Sequence, residues 1–376
     1  MKKILTLSLF SLIMLQGVAQ SLSQPPSGDN QKSSVTQWIG PVKVSIHYSS
    51  PDVHGPSGED RTGHIWGEVV HYGFIDQGFG TSKAAPWRAG ANENTTISFS
   101  HDVTINGKTL KAGTYGLFLA VEKEGPWTWI FSTNSTSWGS YFYNPSEDAL
   151  RVQTTATDAP YTEWLTFGFD DRKSNSAVAF LQWEKKRIPL KIDVPNVNEI
   201  YVANMRNELR NSVGFDYQNF ATAAQFCVQH KINLEEALTW AEAAISTPFF
   251  GREEFNTLQT KASVLEALGR SSEAEAIMNK AILHPTATVD AVHQYGRSLL
   301  AQGKNQKALE VFKLNRQRNP TDTFTTYVGL ARGYTAVGDK KNAIKNWELA
   351  IKNIPDDRKA GLPTYEAELK KLKGGA

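Results

Sequence analysis

Only one cysteine occurs in the 376 residues. Cys227 has no second thiol in the chain, so an intrachain disulfide is excluded. It falls in a helical apolar pattern, where a lone Cys is a small buried side chain rather than a nucleophile. An excess of one charge is also missing, since 40 Lys and Arg face 38 Asp and Glu. A chain this near neutrality has no electrostatic reason to seek nucleic acid or anionic lipid. After the first residues no apolar run is long enough to span a bilayer. There is no Gly-x-Ser-x-Gly elbow, phosphate loop, dinucleotide fingerprint, His-x-His or His-Glu-x-x-His spacing. No cofactor and no metal site are therefore expected, and binding is favoured over catalysis.

The beginning of the chain is distinctive. Lys2 and Lys3 precede the apolar run Ile4 to Leu15, and Gly17-Val18-Ala19 then supplies small residues. This is the pattern of a secretory signal cleaved after Ala19, too short for a membrane span. The cut removes two Lys and no acid, which leaves 38 residues of each sign. No Cys follows the cut to carry a lipid. The expected location is exported, periplasmic or extracellular. Residues 20–34 are Ser, Gln, Pro, Gly and Asp with almost no apolar content, and are expected to form a flexible tether.

From 35 to 195 the texture alternates with period two. Val42 to Ile46, Thr96 to Phe99, Trp164 to Phe169 and Pro189 to Val194 are examples. Turn signals at Asn106-Gly107, Ala112-Gly113, Gly125-Pro126 and Asn144-Pro145 separate the runs. Short strands spaced by turns predict an all-β antiparallel sandwich rich in Trp. In Lys111-Ala112-Gly113-Thr114-Tyr115 a turn leads to a Tyr at a strand start. That arrangement predicts a tyrosine corner, in which the phenol returns to bond backbone near the turn.

After Pro195 the period changes. Val197 to Arg210 reads as an amphipathic helix. Ala237, Ala274, Ala308 and Ala343 then mark equivalent points 37, 34 and 35 residues apart, which is the tetratricopeptide period. Small residues recur at Ala262, Gly296 and Ala331, and bulky ones at Met278, Phe312 and Trp347. Pro248, Pro285, Pro320 and Pro355 close the second helices. Residues 196–376 are thus expected to form an all-α array of four helix pairs, with a leading helix and a capping helix near Thr364 to Lys373. Such an array suits binding of another envelope protein or peptide.

The β half resembles a family of uncharacterised exported bacterial proteins, the domain of unknown function 2911. The resemblance runs from Ile46 to Asp170. It is carried by Tyr48-Ser49-Ser50-Pro51, Ile65-Trp66-Gly67, Trp87-Arg88-Ala89-Gly90-Ala91-Asn92-Glu93, Asp102 to Lys108, Ala112 to Tyr115, Trp138-Gly139-Ser140-Tyr141 and Leu150-Arg151-Val152. The helical half resembles the extension many such proteins carry. There is one departure. Where the family shows Gly-Arg-x before Ile-Trp-Gly, this chain has Thr62-Gly63-His64, with Arg61 displaced. The resemblance implies the fold and no established activity.

The ligand-binding candidates are Trp87, Arg88, Asn92, Glu93, His64, Trp138 and Tyr141. Period two places Glu93 in phase with Ile97 and Phe99, so its carboxylate would need a partner, and Arg88 is the nearest basic residue in sequence. The pair reads either as a structural ion pair or as a polar ligand cluster. His47, His54, His64, His71 and His101 lie early with Asp52, Asp60 and Glu68. A strand over His64 to Val70 would put His64 and Glu68 on one face and His71 on the other. Trp138 and Tyr141 read as sugar- or peptide-stacking rings, or as packing. Lys261, Gln294, Arg297, Tyr327 and Arg332 fall on first helices of pairs and are partner-binding candidates. The resulting expectation is an exported binding protein with a protein-binding array and a small ligand or glycan on the β domain. The alternative is an exported, hydrolase-like enzyme built on Arg88, Glu93 and a His.

Overall fold

The computed structural model describes residues 25–374, so the expected signal segment lies outside the described residues. The chain divides into two compact units, Met1–Val197 and Asn198–Ala376.

Among the described residues the first unit holds ten strands: β1 Gln31–Ile39, β2 Val42–Ser50, β3 Thr96–Phe99, β4 Val103–Ile105, β5 Lys108–Leu110, β6 Gly113–Ala120, β7 Trp127–Ser132, β8 Asp148–Thr154, β9 Thr157–Lys173 and β10 Ser176–Asp193. They form a six-stranded sheet in the order β1-β2-β3-β6-β7-β8 and a four-stranded sheet in the order β5-β4-β10-β9. All these pairings are antiparallel. The alternation seen in the sequence sets which face is inward. In β3, Ile97 and Phe99 are buried while Thr96 and Ser98 are partly exposed. The two sheets meet through Trp129 and Phe167, whose ring centroids are 6.3 Å apart, and through Tyr48 and Phe167 at 4.9 Å. The tyrosine corner is present: the Tyr115 hydroxyl donates to the Lys111 carbonyl at 2.9 Å.

Two expectations need correction. Residues 31–34, assigned to a tether, are the start of β1 and pair with Ser50 to His47 of β2. β1 is an edge strand held by backbone hydrogen bonds, so it needs few apolar side chains, and its composition hides it. The segment His64 to Val70 is not a strand. It coils back on itself through Val69 N–H to the His64 carbonyl and Val70 N–H to the Ile65 carbonyl. Residues 51–95 contain only isolated bridges, and this long connection builds the site described below.

The second unit is a repeat array. Helix α1 (Val197–Glu208) leads. Four pairs follow: α2 Tyr217–His230 with α3 Leu234–Ser246, α4 Phe255–Ala267 with α5 Ser271–Leu283, α6 Val289–Ala301 with α7 Asn305–Arg318, and α8 Thr325–Ala336 with α9 Lys340–Lys352. Helix α10 (Leu362–Lys373) caps the stack. First helices of successive pairs lie side by side, α2 on α4 and α6 on α8. This is the tetratricopeptide-like arrangement that the marker positions predict. Among the described residues, no helix is long and apolar enough to cross a membrane.

Small residues make the close approach possible. The Phe312 ring of α7 is buried against Gly296 of α6 and Gly329 and Gly333 of α8. A Cβ at Gly296 would lie 2.4 Å from that ring. Gly296→Ala is therefore expected to destabilise the array by about 1–3 kcal/mol through overpacking. Urea unfolding followed by far-UV circular dichroism checks this, and a stability equal to wild type would contradict it.

Candidate functional site

The loop from Trp87 to Thr95 is pinned at both ends and in the middle. Trp87 exchanges backbone hydrogen bonds with Leu119 of β6, at 3.2 and 2.8 Å. The Thr95 side chain, fully buried, donates to the Ala89 carbonyl at 2.9 Å, and Ala91 N–H reaches the Ser49 carbonyl at 3.1 Å. Ala89 and Asn92 hold left-handed φ values of 52° and 54°, strained for residues with a Cβ and maintained by those bonds. At Gly90 a Cβ would lie 2.8 Å from Thr95 Oγ1 and 3.1 Å from the Ser49 carbonyl, so only glycine fits.

This loop sends Arg88 and Glu93 to different places. Arg88 Nη1 donates to the Asn92 carbonyl at 2.8 Å. Its guanidinium lies 5.3 Å from the Trp138 ring centroid and 5.5 Å from that of Tyr141. Those two rings are stacked, with centroids 6.1 Å apart. Gly139 sits directly against the guanidinium; a Cβ there would be 2.9 Å from Arg88 Cζ, and its φ of 73° favours glycine as well. Glu93 is exposed and bonds Lys32 Nζ at 2.7 Å and the Ser49 hydroxyl at 3.2 Å. The hydrogen bond from Lys32 is the main reason its carboxyl titrates below the usual range. The expected Arg88–Glu93 pair does not form. Glu93 lies before β3 begins at Thr96, so strand alternation does not reach it, and β1 supplies a closer cation.

Each side of the loop borders a cavity. On the Glu93 side, a cavity of about 340 Å³ is lined by Lys32, His47, Ser49, Glu93, Asn94 and Ser137, among others. Its Lys32 and Glu93 neutralise one another, and the buried Asn94 amide has no hydrogen-bond partner on either atom. On the Arg88 side, a cavity of about 380 Å³ is lined by Arg61, His71, Gln77, Trp87, Arg88, Asn92 and Trp183 with neighbouring backbone. The Trp87 and Trp183 rings stack at 6.2 Å and border the cavity as buried core side chains. Arg61 donates to the Val53 and Asp52 carbonyls and faces the Asp52 carboxylate at 3.4 Å. Arg88 has no carboxylate within ion-pair distance among the described residues. Both ring nitrogens of His71 are buried without well-aligned partners, and burial lowers its pKa, so the ring is neutral at neutral pH.

Arg61, His71 and Trp183 were not singled out as ligand-binding residues from sequence. Arg61 reaches the cavity because the buried Glu184 carboxylate, on the β10 bulge, accepts from Gly63 N–H at 3.2 Å and fixes the preceding turn. That displaced Arg was the one available signal. His64, a sequence candidate, is exposed and pairs with Glu68 at 2.8 Å, outside both cavities. Glu163 accepts from Tyr161 and from His54 side chain and backbone. Burial opposes this, but those bonds bring its pKa down to about 2. Among the described residues, no group of three or more His, Cys, Asp or Glu is placed to hold a metal. Cys227 is buried in α2, and burial raises its thiol to about 11.

In the array the five candidates separate. Lys261 is paired with Glu242 at 2.9 Å, and Tyr327 lies under the Arg316 guanidinium at 4.4 Å. Arg297 on α6 contacts Gln294 at 3.4 Å and neighbours Arg332 on α8. Neither Arg has an ion-pair partner among the described residues, and Arg332 Nε is buried with no acceptor. His293 lies beneath them, buried against Phe312 with ring centroids 5.5 Å apart. Burial first, then the charges of Arg332 and Arg297, push its pKa down to about 4.

Residues 30–192 match the family model described as Protein of unknown function (DUF2911). The resemblance carried by Ile46 to Asp170 therefore holds across nearly all of the β half. No curated protein matches the chain. Among solved structures, the helical half is similar to a tetratricopeptide repeat protein from Parabacteroides merdae ATCC 43184, at 20% identity over 47% of this chain and 66% of that one, with a TM-score of 0.33. It is also similar to YrrB, described as a TPR protein with an unusual peptide-binding site, at 19% identity over 47% of this chain and 84% of that one, TM-score 0.31. A third is MamA 41-end from Desulfovibrio magneticus RS-1, at 19% identity over 42% of this chain and 93% of that one, TM-score 0.28.

His293 gives a pH prediction. Its folded pKa of about 4 lies below the ordinary 6.5, so the unfolded chain takes up the proton first as pH falls. The neutral ring's contribution is complete above about 6.5 and declines as pH drops towards 4. The loss is on the order of 3 kcal/mol at most. Urea unfolding at several pH values should show a shallower pH slope for His293→Leu than for wild type, and equal slopes would contradict the assignment.

Proposed function

We propose that this chain, a DUF2911-type β domain joined to a tetratricopeptide-like array, is an exported binding protein, periplasmic or extracellular. The array engages an acidic segment of an envelope protein, and the β half recognises a small ligand. The observation that carries the first part is the unbalanced charge of Arg297 and Arg332 on adjacent first helices. A buried guanidinium N–H without an acceptor is costly, and a carboxylate arriving from a partner would satisfy it with a charge-assisted bond. Gln294, beside Arg297, adds a neutral donor and acceptor. Lys261 and Tyr327 stay at the edge of this reading, since their polar or aromatic groups already have partners. Export is supported by the basic start at Lys2 and Lys3, the apolar run and the small residues up to Ala19.

The enzyme alternative of Arg88, Glu93 and an early His in one site draws no support from geometry, because Arg88 and His71 line one cavity while Glu93 and His47 line another. The β half also presents Trp138 and Tyr141 as a stacked, partly exposed pair against the Arg88 guanidinium. Their role in this reading is to hold that guanidinium in place by cation–π attraction.

The full chain, titrated with a Glu-rich peptide and with its Gln counterpart, should prefer the acidic peptide. Arg297→Glu with Arg332→Glu should weaken that binding at least about tenfold, in line with the loss of a charge-assisted contact. Equal affinity for both peptides, or no effect of the double substitution, would overturn the assignment. Cell fractionation with mass spectrometry should find a mature chain beginning at Gln20 outside the cytoplasm; an intact cytoplasmic chain would refute export.

A further inference from the structure

We infer that the cavity on the Arg88 side of the loop is a binding site for a small monocarboxylate. The inference rests on the ligand-recognition half of the proposed function and specifies its chemistry. Three observations lead to it.

The first is charge. Two guanidinium groups line the cavity, but that of Arg61 is offset by Asp52 at 3.4 Å. Arg88 alone is uncompensated among the described residues. Its Nη1 is used by the Asn92 carbonyl, which fixes the fork while leaving other N–H groups for a ligand. One net positive charge in a partly desolvated site selects a monoanion, and a planar fork favours a carboxylate. A dianion would keep a charge unmatched at a cost.

The second is an unfilled hydrogen-bonding capacity. His71 has two buried ring nitrogens with no well-aligned hydrogen-bond partner, the Tyr72 and Gly73 backbone being the nearest polar groups that act on the ring. A neutral imidazole has one donor and one acceptor, so it can donate to a carboxylate oxygen or accept from a ligand hydroxyl. Buried polar groups in native proteins are rarely left unpaired, so these two nitrogens mark a position for ligand atoms or solvent. Gln77, on the same wall, adds an amide.

The third is shape. The cavity of about 380 Å³ falls in the range of roughly 300–1,000 Å³ usual for small-molecule sites. Trp87 and Trp183, stacked 6.2 Å apart with 17° between their planes and only 8% and 1% exposed, close the cavity floor as part of the packed core. Ser49, Thr95 and Leu119 fix the loop, so the site is preformed rather than made by the ligand.

Isothermal titration of the full chain with sodium benzoate, near neutral pH, tests this. Benzamide serves as the uncharged isostere and inorganic phosphate as the charged non-carboxylate. Benzoate should bind one to one, with benzamide and phosphate at least about tenfold weaker, and Arg88→Met should remove about tenfold of the benzoate affinity. Nuclear magnetic resonance of the wild-type chain should show the His71 ring nitrogens shifting as benzoate is added, a readout that does not depend on the variant folding. Equal binding of benzamide, or tighter binding of phosphate, would overturn the carboxylate assignment while leaving a ligand cavity in place. No binding of any of the three, with static His71 resonances, would overturn both the assignment and the ligand-recognition reading. In either case the array's peptide binding is measured separately and is unaffected.

Discussion

The hydrogen bond from the buried Thr95 hydroxyl to the Ala89 carbonyl closes the loop on which the β half's polar chemistry depends. Closing it requires two non-glycine residues in the left-handed region and a glycine with no room for a Cβ. Such strain persists only where the surroundings over-determine it, and here Ser49 of β2, Leu117 and Leu119 of β6 and Thr95 all contribute bonds. The result is a rigid partition. Arg88 is turned towards the cavity that Trp87 and Trp183 border, and Glu93 is turned towards Lys32 on β1. Two residues five positions apart thereby serve different cavities with different charge balances.

The array follows the same logic with different groups. Its constraint is close helix approach around Phe312, permitted by Gly296, Gly329 and Gly333. That close packing buries His293 and brings Arg297 and Arg332 together on neighbouring helices. Like charges placed side by side repel, and one guanidinium is also partly desolvated, so the arrangement costs stability in the free protein. In the proposed function, a partner carboxylate offsets that cost. In both units, then, an uncompensated arginine beside a neutral histidine is held by a stiff local frame.

Much of the fold is legible in the sequence because several signals coincide. Period, small residues, bulky residues and prolines all locate the same four helix pairs, and Tyr115 after Lys111 locates its corner. What escapes is structure that does not depend on side-chain pattern. The polar residues Gln31 to Ser34 form an edge strand by backbone pairing with β2, without an apolar pattern to mark it. His64 to Val70 coils rather than extends, with Gly67 at a φ of 106° inside the turn. The candidate site is legible in part. Trp87, Arg88 and Asn92 do line one cavity, and Trp138 and Tyr141 do flank Arg88. The convergence of Arg61, His71 and Trp183 arises from tertiary contacts between segments more than a hundred residues apart, for which no local spacing rule exists. Pairing Arg88 with Glu93 by nearness in sequence fails for the same reason, since β1 brings Lys32 closer.

The central claim is that the loop gives the Arg88 charge to the cavity and not to Glu93. The side-chain nitrogen resonances of Arg88 measure this most directly. Glu93→Gln should leave the Arg88 Nε–H signal where it is in wild type, while the Lys32 ammonium signal moves. An Arg88 signal that shifts with Glu93→Gln as an ion-paired guanidinium would shift would contradict the account.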